Sequence, residues 1–596
     1  MMDRPIRETN RANWALVNTT ERSMRPLADP QQPPSREVMP SMPTIYDAVV
    51  VGSGAAGGMA ATELCLGGLK VLLLEAGPAL DQATGFHHHA KPYEFPFRGR
   101  IRPLERAKYN YTANEWNKPH FVNELEHPYT GKPFVWVRAR CLGGKTLHWG
   151  LVSLRFSPRD FKAASYDGFG ENWPISYEDV EPYYTRTEKM IGVAGQADHL
   201  ANNPDSHFLK PVPFSCPEAV FHKEMANRFP DRPVIHGRSA TATEPVNGRA
   251  PCHYCGHCGR VCNVGAAFSS SAVLLPIAQK TGNLTVRTNA VAWQVLTDAG
   301  GRAKSVLFVD RETRQTEEAF GKVIVLGAGS LESTRILLNS RSPEHPNGLG
   351  NSSGKLGHYF CEQIMAGNIL GVLPVLRGRR SFADDARPDG TGIYVPRFRN
   401  LKDKSPNFIR GYGFEGGGGS SEFPGFARKI PGFGARFKEE VKKNYAATIA
   451  IGSFGEVLPR YDNYVEIDPQ VRDAWGIPVL RFNIEWGPNE LAMAKDMVET
   501  QREMMKAAGA DVLEERSTAL PPGWSIHEAG TARMGTDPKS SVLDPWHACH
   551  DVKNLFVVDA ASFVNSTEKN PTLTIMTLAM RACDHIVDEM QRGAFT

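Results

Sequence analysis

The sequence predicts an α/β (α+β) protein in which a parallel sheet is joined to an antiparallel one. Two patterns indicate this fold class. A β-branched run at Ile45–Val51 is followed by a glycine-rich turn, a helical segment and an apolar strand at Val71–Leu74, which is the order of a βαβ unit of about 30 residues. Farther along, residues 284–295, 303–310 and 322–326 have the strand-like alternation of an antiparallel meander.

Length and composition limit the function classes. The chain has 596 residues, of which 41% are hydrophobic and 22% charged, so it can fill roughly two to four packed units and is not disordered as a whole. The net charge is +3, which gives no electrostatic reason to expect a nucleic acid or an anionic membrane as partner. No apolar run reaches about 18 residues, so we expect no membrane span in this chain.

Changes in composition along the chain predict its organisation. Residues 1–44 are polar and rich in proline, without the basic and apolar regions of a secretory signal. We expect them to form a disordered or surface-draped arm, with partner binding as the alternative. The remaining boundaries predict a discontinuous nucleotide-binding domain at 45–160, 266–365 and 510–596, a substrate domain at 161–215 and 366–509, and a cysteine-rich insert at 216–265.

The turn after the first strand has the residues of a dinucleotide-binding loop. Gly52 permits the tight turn, Gly54 lets the backbone approach a pyrophosphate, and Gly57 lets the helix pack closely on the strand. The helix N-terminus then faces the phosphates. Glu75 ends the second strand, where its carboxylate can accept hydrogen bonds from the adenosine ribose and would repel a 2′-phosphate. The loop predicts FAD or NAD and argues against NADP.

The C-terminal segment predicts a return of the chain to this domain. Residues 555–559 form a strand-like run that ends at Asp559, and a helix-like run begins at Thr572. Between the two ends of the chain, residues 408–426 include four consecutive glycines, Gly416 to Gly419. Consecutive glycines favour a mobile surface loop, with a catalytic lid as the alternative.

Four of the ten cysteines lie within eleven residues, in the spacing C-x2-C-x2-C-x3-C, which equals the bacterial ferredoxin run. They are Cys252, Cys255, Cys258 and Cys262. Either all four bind one iron–sulfur cluster, or three of them bind a three-iron cluster. Two other readings stay open: a zinc site that uses these thiols or a neighbouring histidine, and a disulfide-isomerase-like CGHC, which lacks its usual strand-then-helix context.

Four segments together resemble the glucose–methanol–choline (GMC) oxidoreductases over nearly all of residues 45–590. They are VVVGSGAAGG at 49–58, CLGGKTLHWG at 141–150, VLGAGSLESTRILLNS at 325–340, and HEAGTARMG at 527–535 with VVDAASFVNSTEKNPTLTI at 557–575. The resemblance implies the GMC fold, with a Rossmann-like FAD-binding domain and a substrate domain built on an antiparallel sheet. It also implies FAD as cofactor and the oxidation of an alcohol.

The resemblance also implies roles for individual residues. The catalytic histidine of the family falls on His527, and its second catalytic position, His or Asn, falls on Asn570. A neutral imidazole suits removal of a hydroxyl proton, and a carboxamide can hold the same oxygen without competing for that proton.

Other residues of the motifs are implied contacts of the cofactor. Gly143 and Gly144 would let the backbone run against the flavin, and His148 matches a position that carries the flavin covalently in some relatives and only packs beside it in others. The further candidate contacts are Thr146, Val291, whose backbone position usually meets adenine, Asp559 and Thr572.

A cysteine-rich insert in a GMC frame resembles the large subunits of bacterial FAD-dependent sugar dehydrogenases. That resemblance implies a sugar or glycoside substrate oxidised at a secondary hydroxyl, such as C3. It also implies a [3Fe-4S] or [4Fe-4S] cluster, a cytochrome c-type acceptor, and a small subunit that carries the export signal to the periplasm. The alternatives are an oxidase with zinc or an empty cysteine site, a non-redox lyase or a flavin-bearing binding subunit, and a cytoplasmic location.

Overall fold

The computed structural model describes residues 44–595 except 81–85, 87–89, 380–386, 403 and 420–423. The predicted arm at 1–44 therefore lies, apart from Thr44, outside the described residues. From Thr44 onward the chain forms one compact unit. None of the helices described combines the length and the apolar character that crossing a bilayer requires.

Strands of the described residues fall into three sheets. In chain order they are β1 (Ile45–Val51), β2 (Val71–Leu74), β3 (Thr130–Gly131), β4 (Ile235–His236), β5 (Leu284–Arg287), β6 (Ala290–Thr297), β7 (Ala303–Asp310), β8 (Thr316–Leu326), β9 (Gln363–Val372), β10 (Ile393–Val395), β11 (Tyr412–Gly418), β12 (Thr448–Glu456), β13 (Tyr464–Arg472), β14 (Pro478–Asn483), β15 (Asp511–Ala519) and β16 (Leu555–Val557).

The α-helices of the described residues pack around these sheets. They are α1 (Ala55–Leu66), α2 (Pro158–Phe161), α3 (Ala163–Asp167), α4 (Tyr177–Ile191), α5 (Cys216–Arg228), α6 (Leu275–Lys280), α7 (Ser330–Asn339), α8 (Gly434–Asn444), α9 (Pro488–Ala507) and α10 (Thr572–Gln591).

The first sheet has the strand order β5-β2-β1-β8-β7-β6, with β16 also paired to β8. Strands β5, β2, β1, β8 and β16 are parallel, whereas β8, β7 and β6 form the predicted antiparallel meander. Strand β8 belongs to both parts, because it pairs in parallel with β1 and β16 and antiparallel with β7. The C-terminal helix α10 packs on α1 and α4, so the chain end returns to this sheet and the predicted fold class is confirmed.

The second sheet is antiparallel, with the order β15-β9-β12-β11-β10-β4. Helix α9 covers one face of it and buries four methionines against the strands, as its apolar spacing requires. Strand β4 and helix α5, from the first half of the predicted insert, also pack with this sheet. A third, small sheet has the order β13-β14-β3. The exact domain boundaries stay predictions.

The expectation of a mobile loop at the consecutive glycines is wrong for most of them. Gly416 to Gly418 belong to β11, where each pairs with a residue of β12. The ladder of hydrogen bonds to neighbouring strands fixes the backbone, which glycine alone would leave free. A second difference is small: residues 284–297 form two strands, β5 and β6, separated by a bend at Thr288 and Asn289.

The close packing of α1 on β1 predicts that alanine is destabilising at one glycine of the turn and tolerated at another. A Cβ on Gly57 would lie 1.8 Å from the carbonyl oxygen of Gly52, whereas a Cβ on Gly54 would meet nothing within 4 Å. We expect Gly57→Ala to cost the apoprotein about 3 kcal/mol, because the clash is with backbone. Gly54→Ala is the matched control and should cost no more than about 0.5 kcal/mol. Urea unfolding of the two apoproteins measures both, and equal midpoints would contradict the packing argument.

Candidate active site

A long cleft opens where the parallel strands of the first sheet end. Nine of the thirteen residues that the sequence assigns to catalysis or to the cofactor line it: Gly52, Gly54, Glu75, Gly144, Thr146, Val291, His527, Asp559 and Thr572. The other four do not form its wall: Gly57, Gly143, His148 and Asn570. The carboxyl ends of parallel strands are the usual place for a nucleotide in such sheets.

The glycine loop forms one end of this cleft. Gly52 has φ +93°, a left-handed conformation that only glycine adopts at little cost. Its Cβ position would lie 2.6 Å from the carbonyl oxygen of Gly327 at the end of β8. Gly54 begins α1, and the space beside it is open. The loop is therefore a backbone cradle at a helix N-terminus, which fits a pyrophosphate.

Glu75 lies at the end of β2 and is held in place by its neighbours. Its carboxylate accepts hydrogen bonds from the backbone N–H of Gly77 at 2.8 Å and from the Ser53 hydroxyl at 2.5 Å. Burial raises the pKa of Glu75, although these hydrogen bonds oppose the shift. Arg140 also lines the cleft, and its Nη1 has no hydrogen-bond partner in the described residues. The cleft thus retains polar groups suited to the ribose and phosphates of FAD.

The turn at Gly143 and Gly144 crosses the middle of the cleft. Both glycines have positive φ, +103° and +54°, and Gly143 donates its N–H to the Ser53 hydroxyl at 2.9 Å. Thr146 Oγ1 accepts the N–H of Ser270 at 2.9 Å. The first bond ties the turn to the glycine loop, and the second ties it to the segment that precedes α6.

His527 is oriented by a side chain that its motif does not contain. Its Nδ1 lies 2.6 Å from Oε1 of Gln363. The amide nitrogen of Gln363 already donates to the carbonyl oxygens of Thr567 and Lys569, at 2.7 and 2.8 Å. Oε1 must therefore be the acceptor, which places the imidazole proton on Nδ1 and leaves Nε2 free to accept a proton.

The charge state of His527 suits a base. Burial lowers its pKa to about 3, with a smaller contribution from the nearby ammonium of Lys145. The imidazole is therefore neutral at neutral pH. Lys145 is itself paired at 2.9 Å with Glu528, and both residues line the cleft.

Asn570 lies behind the cleft wall, 9% exposed, on the loop that precedes α10. Its carboxamide lies near the carboxylate of Glu415 in β11 and opposes the burial that raises the pKa of that group, while its Oδ1 has no hydrogen-bond partner among the described residues. A buried carbonyl oxygen without a donor is costly unless a ligand supplies one. The carbonyl oxygen of Asn570 could accept a hydrogen bond from a hydroxyl group. The space nearest to it is a second cavity, which is lined by Glu415 and is separate from the main cleft.

His148 packs among other rings outside the wall of the main cleft. Its Nε2 lies 2.9 Å from Nδ1 of His120, and the two rings stack. Burial, aided by His120, lowers its pKa to about 3, and the backbone carbonyl of Gly259 in the cysteine segment faces it. His148 therefore lies between the turn at Gly143 and the cysteine segment. Its covalent attachment to the flavin stays a prediction.

The cysteine loop, residues 252–262, is described throughout. Cys255 is exposed, and the other three thiols are partly exposed. Within the residues that the structure covers, no three His, Cys, Asp or Glu side chains are arranged to hold a metal ion. Neighbouring thiols of the loop contribute, after burial, to the raised pKa of Cys252 and of Cys258, so the thiols lie near one another. The iron–sulfur cluster and the zinc site that the spacing suggests stay predictions.

Sequence reasoning missed Gln363, Glu415, Lys145 and Glu528. Gln363 and Glu415 lie in strands far from any motif, and only the folding of the second sheet against the C-terminal loops brings them to the site. Lys145 and Glu528 each lie inside a quoted motif, next to residues that were singled out. Their opposite charges could have identified them, because the two motifs that contain them were both expected to lie near the cofactor.

A nucleotide cleft with a neutral, oriented histidine in its wall and a buried carboxamide behind that wall defines the class as a nucleotide-dependent oxidoreductase. Two segments of the chain, residues 237–363 and 459–579, match the family described as GMC oxidoreductase. The chain is similar to this family over those segments, and it is an FAD-dependent oxidoreductase that acts on CH–OH groups.

Known proteins of similar length support this assignment. The chain is 29% identical to the 2-methyl-1,2-propanediol dehydrogenase of Mycolicibacterium austroafricanum over 91% of this chain and 95% of that one. It is 26% identical to the fructose dehydrogenase large subunit of Gluconobacter japonicus, over 92% and 98%. A solved structure of the formate oxidase of Aspergillus oryzae superposes with a TM-score of 0.60 at 14% identity, over 93% and 100%, and shows the same fold.

The hydrogen bond from His527 predicts distinct effects for two substitutions of Gln363. Gln363→Leu removes the acceptor and should slow flavin reduction by about 100-fold, because the imidazole loses its fixed tautomer. Gln363→Glu keeps an acceptor but adds a negative charge, which raises the pKa of His527 and should shift the acid limb of the reduction rate to higher pH. Anaerobic stopped-flow absorbance over a pH series measures both. An unchanged rate and an unchanged limb would assign Gln363 a purely structural role.

Proposed function

We propose that this protein is an FAD-dependent dehydrogenase that oxidises a secondary hydroxyl of a sugar or glycoside, such as that at C3, to a ketone. One observation carries the chemistry: the Gln363 bond fixes the proton of His527 on Nδ1 and leaves Nε2 as an uncharged base in the cleft. Asn570, buried with a free carbonyl oxygen, supplies a second group for the substrate hydroxyl.

The roles of the residues follow from these contacts. FAD, when bound, accepts the hydride that leaves the carbinol carbon. The hydroxyl proton goes to Nε2 of His527, and the electron pair of the O–H bond becomes the second bond of the new carbonyl. Asn570 holds the polar end of the substrate. Gly52, Gly54, Glu75 and the Gly143 turn would hold the cofactor along the cleft.

The substrate class rests on the second cavity and on the relatives. That cavity encloses about 440 Å³, within the range of small-molecule sites, and lies against the antiparallel sheet. Its lining includes polar side chains from several strands, among them Asn368, Tyr394 and Glu415. Polyhydroxylated substrates need such a lining, and the fructose dehydrogenase relative is named for a sugar.

The cysteine loop is proposed to bind an iron–sulfur cluster and pass electrons to a cytochrome c-type carrier. The ferredoxin-type spacing supports this proposal, as does the neighbouring His148, which the Gly259 carbonyl faces. Val261, a β-branched residue, has φ +67°, and backbone strain of this kind is stored at functional segments. Because the thiols as placed do not form a ligand set, no step of the oxidation is assigned to the loop.

A direct analysis of iron decides this proposal. We expect anaerobically purified protein to contain three or four iron atoms and equivalent sulfide per chain, with an EPR signal in one redox state. Replacing Cys252 and Cys258 by Ser should remove both, while Cys216→Ser, outside the loop, should not. Zinc in place of iron, or no metal, together with hydrogen peroxide formed in step with substrate, would favour the sugar oxidase instead.

The partners and the compartment are proposed on the same grounds. The fructose dehydrogenase relative is named a large subunit, and we propose a small subunit that carries this chain, folded, to the periplasm, with the cytoplasm as the alternative. Fractionation of cells that produce both chains tests this proposal, since the periplasmic fraction should contain the flavoprotein only when the small subunit is present.

The proton-acceptor role of His527 gives the sharpest test of the chemistry. His527→Ala should keep FAD bound, because the cleft is built mainly by other residues, and should slow flavin reduction by about 100-fold to 10,000-fold. Anaerobic stopped-flow absorbance with a panel of sugars measures the rate, and the flavin-to-protein ratio is the control. Reduction at the parental rate would refute the assignment.

A further inference from the structure

The second cavity contains a transverse row of cross-strand neighbours that the proposed reaction leaves without a role. Tyr394 of β10 is paired with Glu415 of β11, Glu415 with Gly452 of β12, and Gly452 with Asn368 of β9. Directly paired residues point to the same face of a sheet. All four line the cavity, so the row crosses its floor.

A glycine in the row leaves the space that a ligand would occupy. A Cβ at Gly452 would meet only Asn368 Nδ2, at 3.5 Å. On the opposite face of β11, Tyr412 and Phe414 are buried in the core behind the sheet. Bulky side chains of β11 therefore point to the core, and the open space on the cavity side lies beside Gly452 of β12, opposite the carboxylate of Glu415.

Two polar atoms in this row lack partners within the described part of the chain. The hydroxyl of Tyr394, a residue only 2% exposed, and Oε1 of Glu415 are both buried without a hydrogen bond. The carboxamide of Asn570 lies near the carboxylate of Glu415. Leaving a buried donor and a buried acceptor unpaired is costly, and one ligand hydroxyl can satisfy both, because it donates once and accepts twice.

Asn570 relates this row to the reacting group. Asn570 is proposed to hold the hydroxyl that is oxidised, and its carboxamide lies near the carboxylate of Glu415. Phe454, which lines the same cavity, contacts the ring of His527 with 6.1 Å between centroids. A hydroxyl held by Glu415 and Tyr394 would therefore belong to a carbon next to the reacting carbon.

We propose that Glu415 and Tyr394 form a subsite for the neighbouring hydroxyl, so that the enzyme selects alcohols with two vicinal hydroxyl groups. This inference rests on the proposed function for the identity of the reacting hydroxyl. Burial raises the pKa of Glu415 to about 7, opposed by the nearby carboxamide of Asn570, which accords with a carboxyl that faces a neutral ligand and no cation.

The test uses three matched ring alcohols: cis-1,2-cyclohexanediol, cyclohexanol and cis-2-aminocyclohexanol. Binding to the His527→Ala holoenzyme is measured by calorimetry, so that it is read independently of oxidation. We expect the diol to bind about 10-fold more tightly than cyclohexanol. Glu415→Ala and Tyr394→Phe should each reduce that ratio to below about 3-fold, with Glu415→Gln in between. Glu466→Gln, an exposed glutamate of β13, is the control and should leave the ratio unchanged.

The outcomes separate this inference from the proposed function. With His527 intact, Tyr394→Phe should raise KM for the diol, leave KM for cyclohexanol unchanged, and leave kcat within about 2-fold. If no alcohol reduces the flavin, the proposed function fails, while the binding ratios still decide the subsite. Equal binding of diol and cyclohexanol, or a ratio that survives both Glu415→Ala and Tyr394→Phe, would overturn the subsite. A preference for the amino alcohol that Glu415→Ala abolishes would also overturn it, because it assigns Glu415 to an ammonium group.

Discussion

The site depends on one side-chain amide, that of Gln363. Its amide nitrogen donates to two carbonyls of the loop that carries Asn570, and its oxygen accepts from His527. Gln363 is also the first residue of β9 in the antiparallel sheet. One group thus sets the position of the substrate sheet, the tautomer of the base and the course of the C-terminal loop. Because its two bonds to the loop are buried and the bond from His527 is partly buried, a change in any partner is transmitted to the others.

The loop below Asn570 is held by buried charges rather than by apolar packing. Lys569 is buried and lies 3.0 Å from Asp160 and 2.7 Å from Glu568. Burial alone would lower the pKa of Lys569, but the two carboxylates outweigh it and raise that pKa. A buried ion pair adds little net stability, yet losing one partner costs about 3–5 kcal/mol. The arrangement therefore gives the loop one conformation, which a residue that must face a reacting oxygen requires.

Sequence reasoning predicted the parts of the site that local chemistry dictates. The glycine loop and Glu75 follow from the geometry of one βαβ unit, and His527 follows from a motif, so each could be located without the fold. Gln363 and Glu415 could not, since each acts through a partner more than 150 residues away in the chain. The cysteine loop shows what spacing alone does not predict. Spacing gives the order and separation of the thiols along the chain, but the path of the backbone decides whether their sulfur atoms can surround one cluster.

The glycines of β11 show why composition alone misled the prediction. Glycine favours mobility only where the backbone is otherwise unrestrained, and here strands on both sides restrain it. The informative signal was the period of two: Tyr412 and Phe414 alternate with Gly413 and Glu415, which is the pattern of a strand with one packed face. On the other face, neighbours already fill the space beside Gly413, where a Cβ would lie 3.0 Å from the carbonyl oxygen of Val395. The open position belongs to Gly452 of β12, the residue paired with Glu415. Across that pair, the glycine marks where a ligand fits, and the glutamate marks what the ligand must offer.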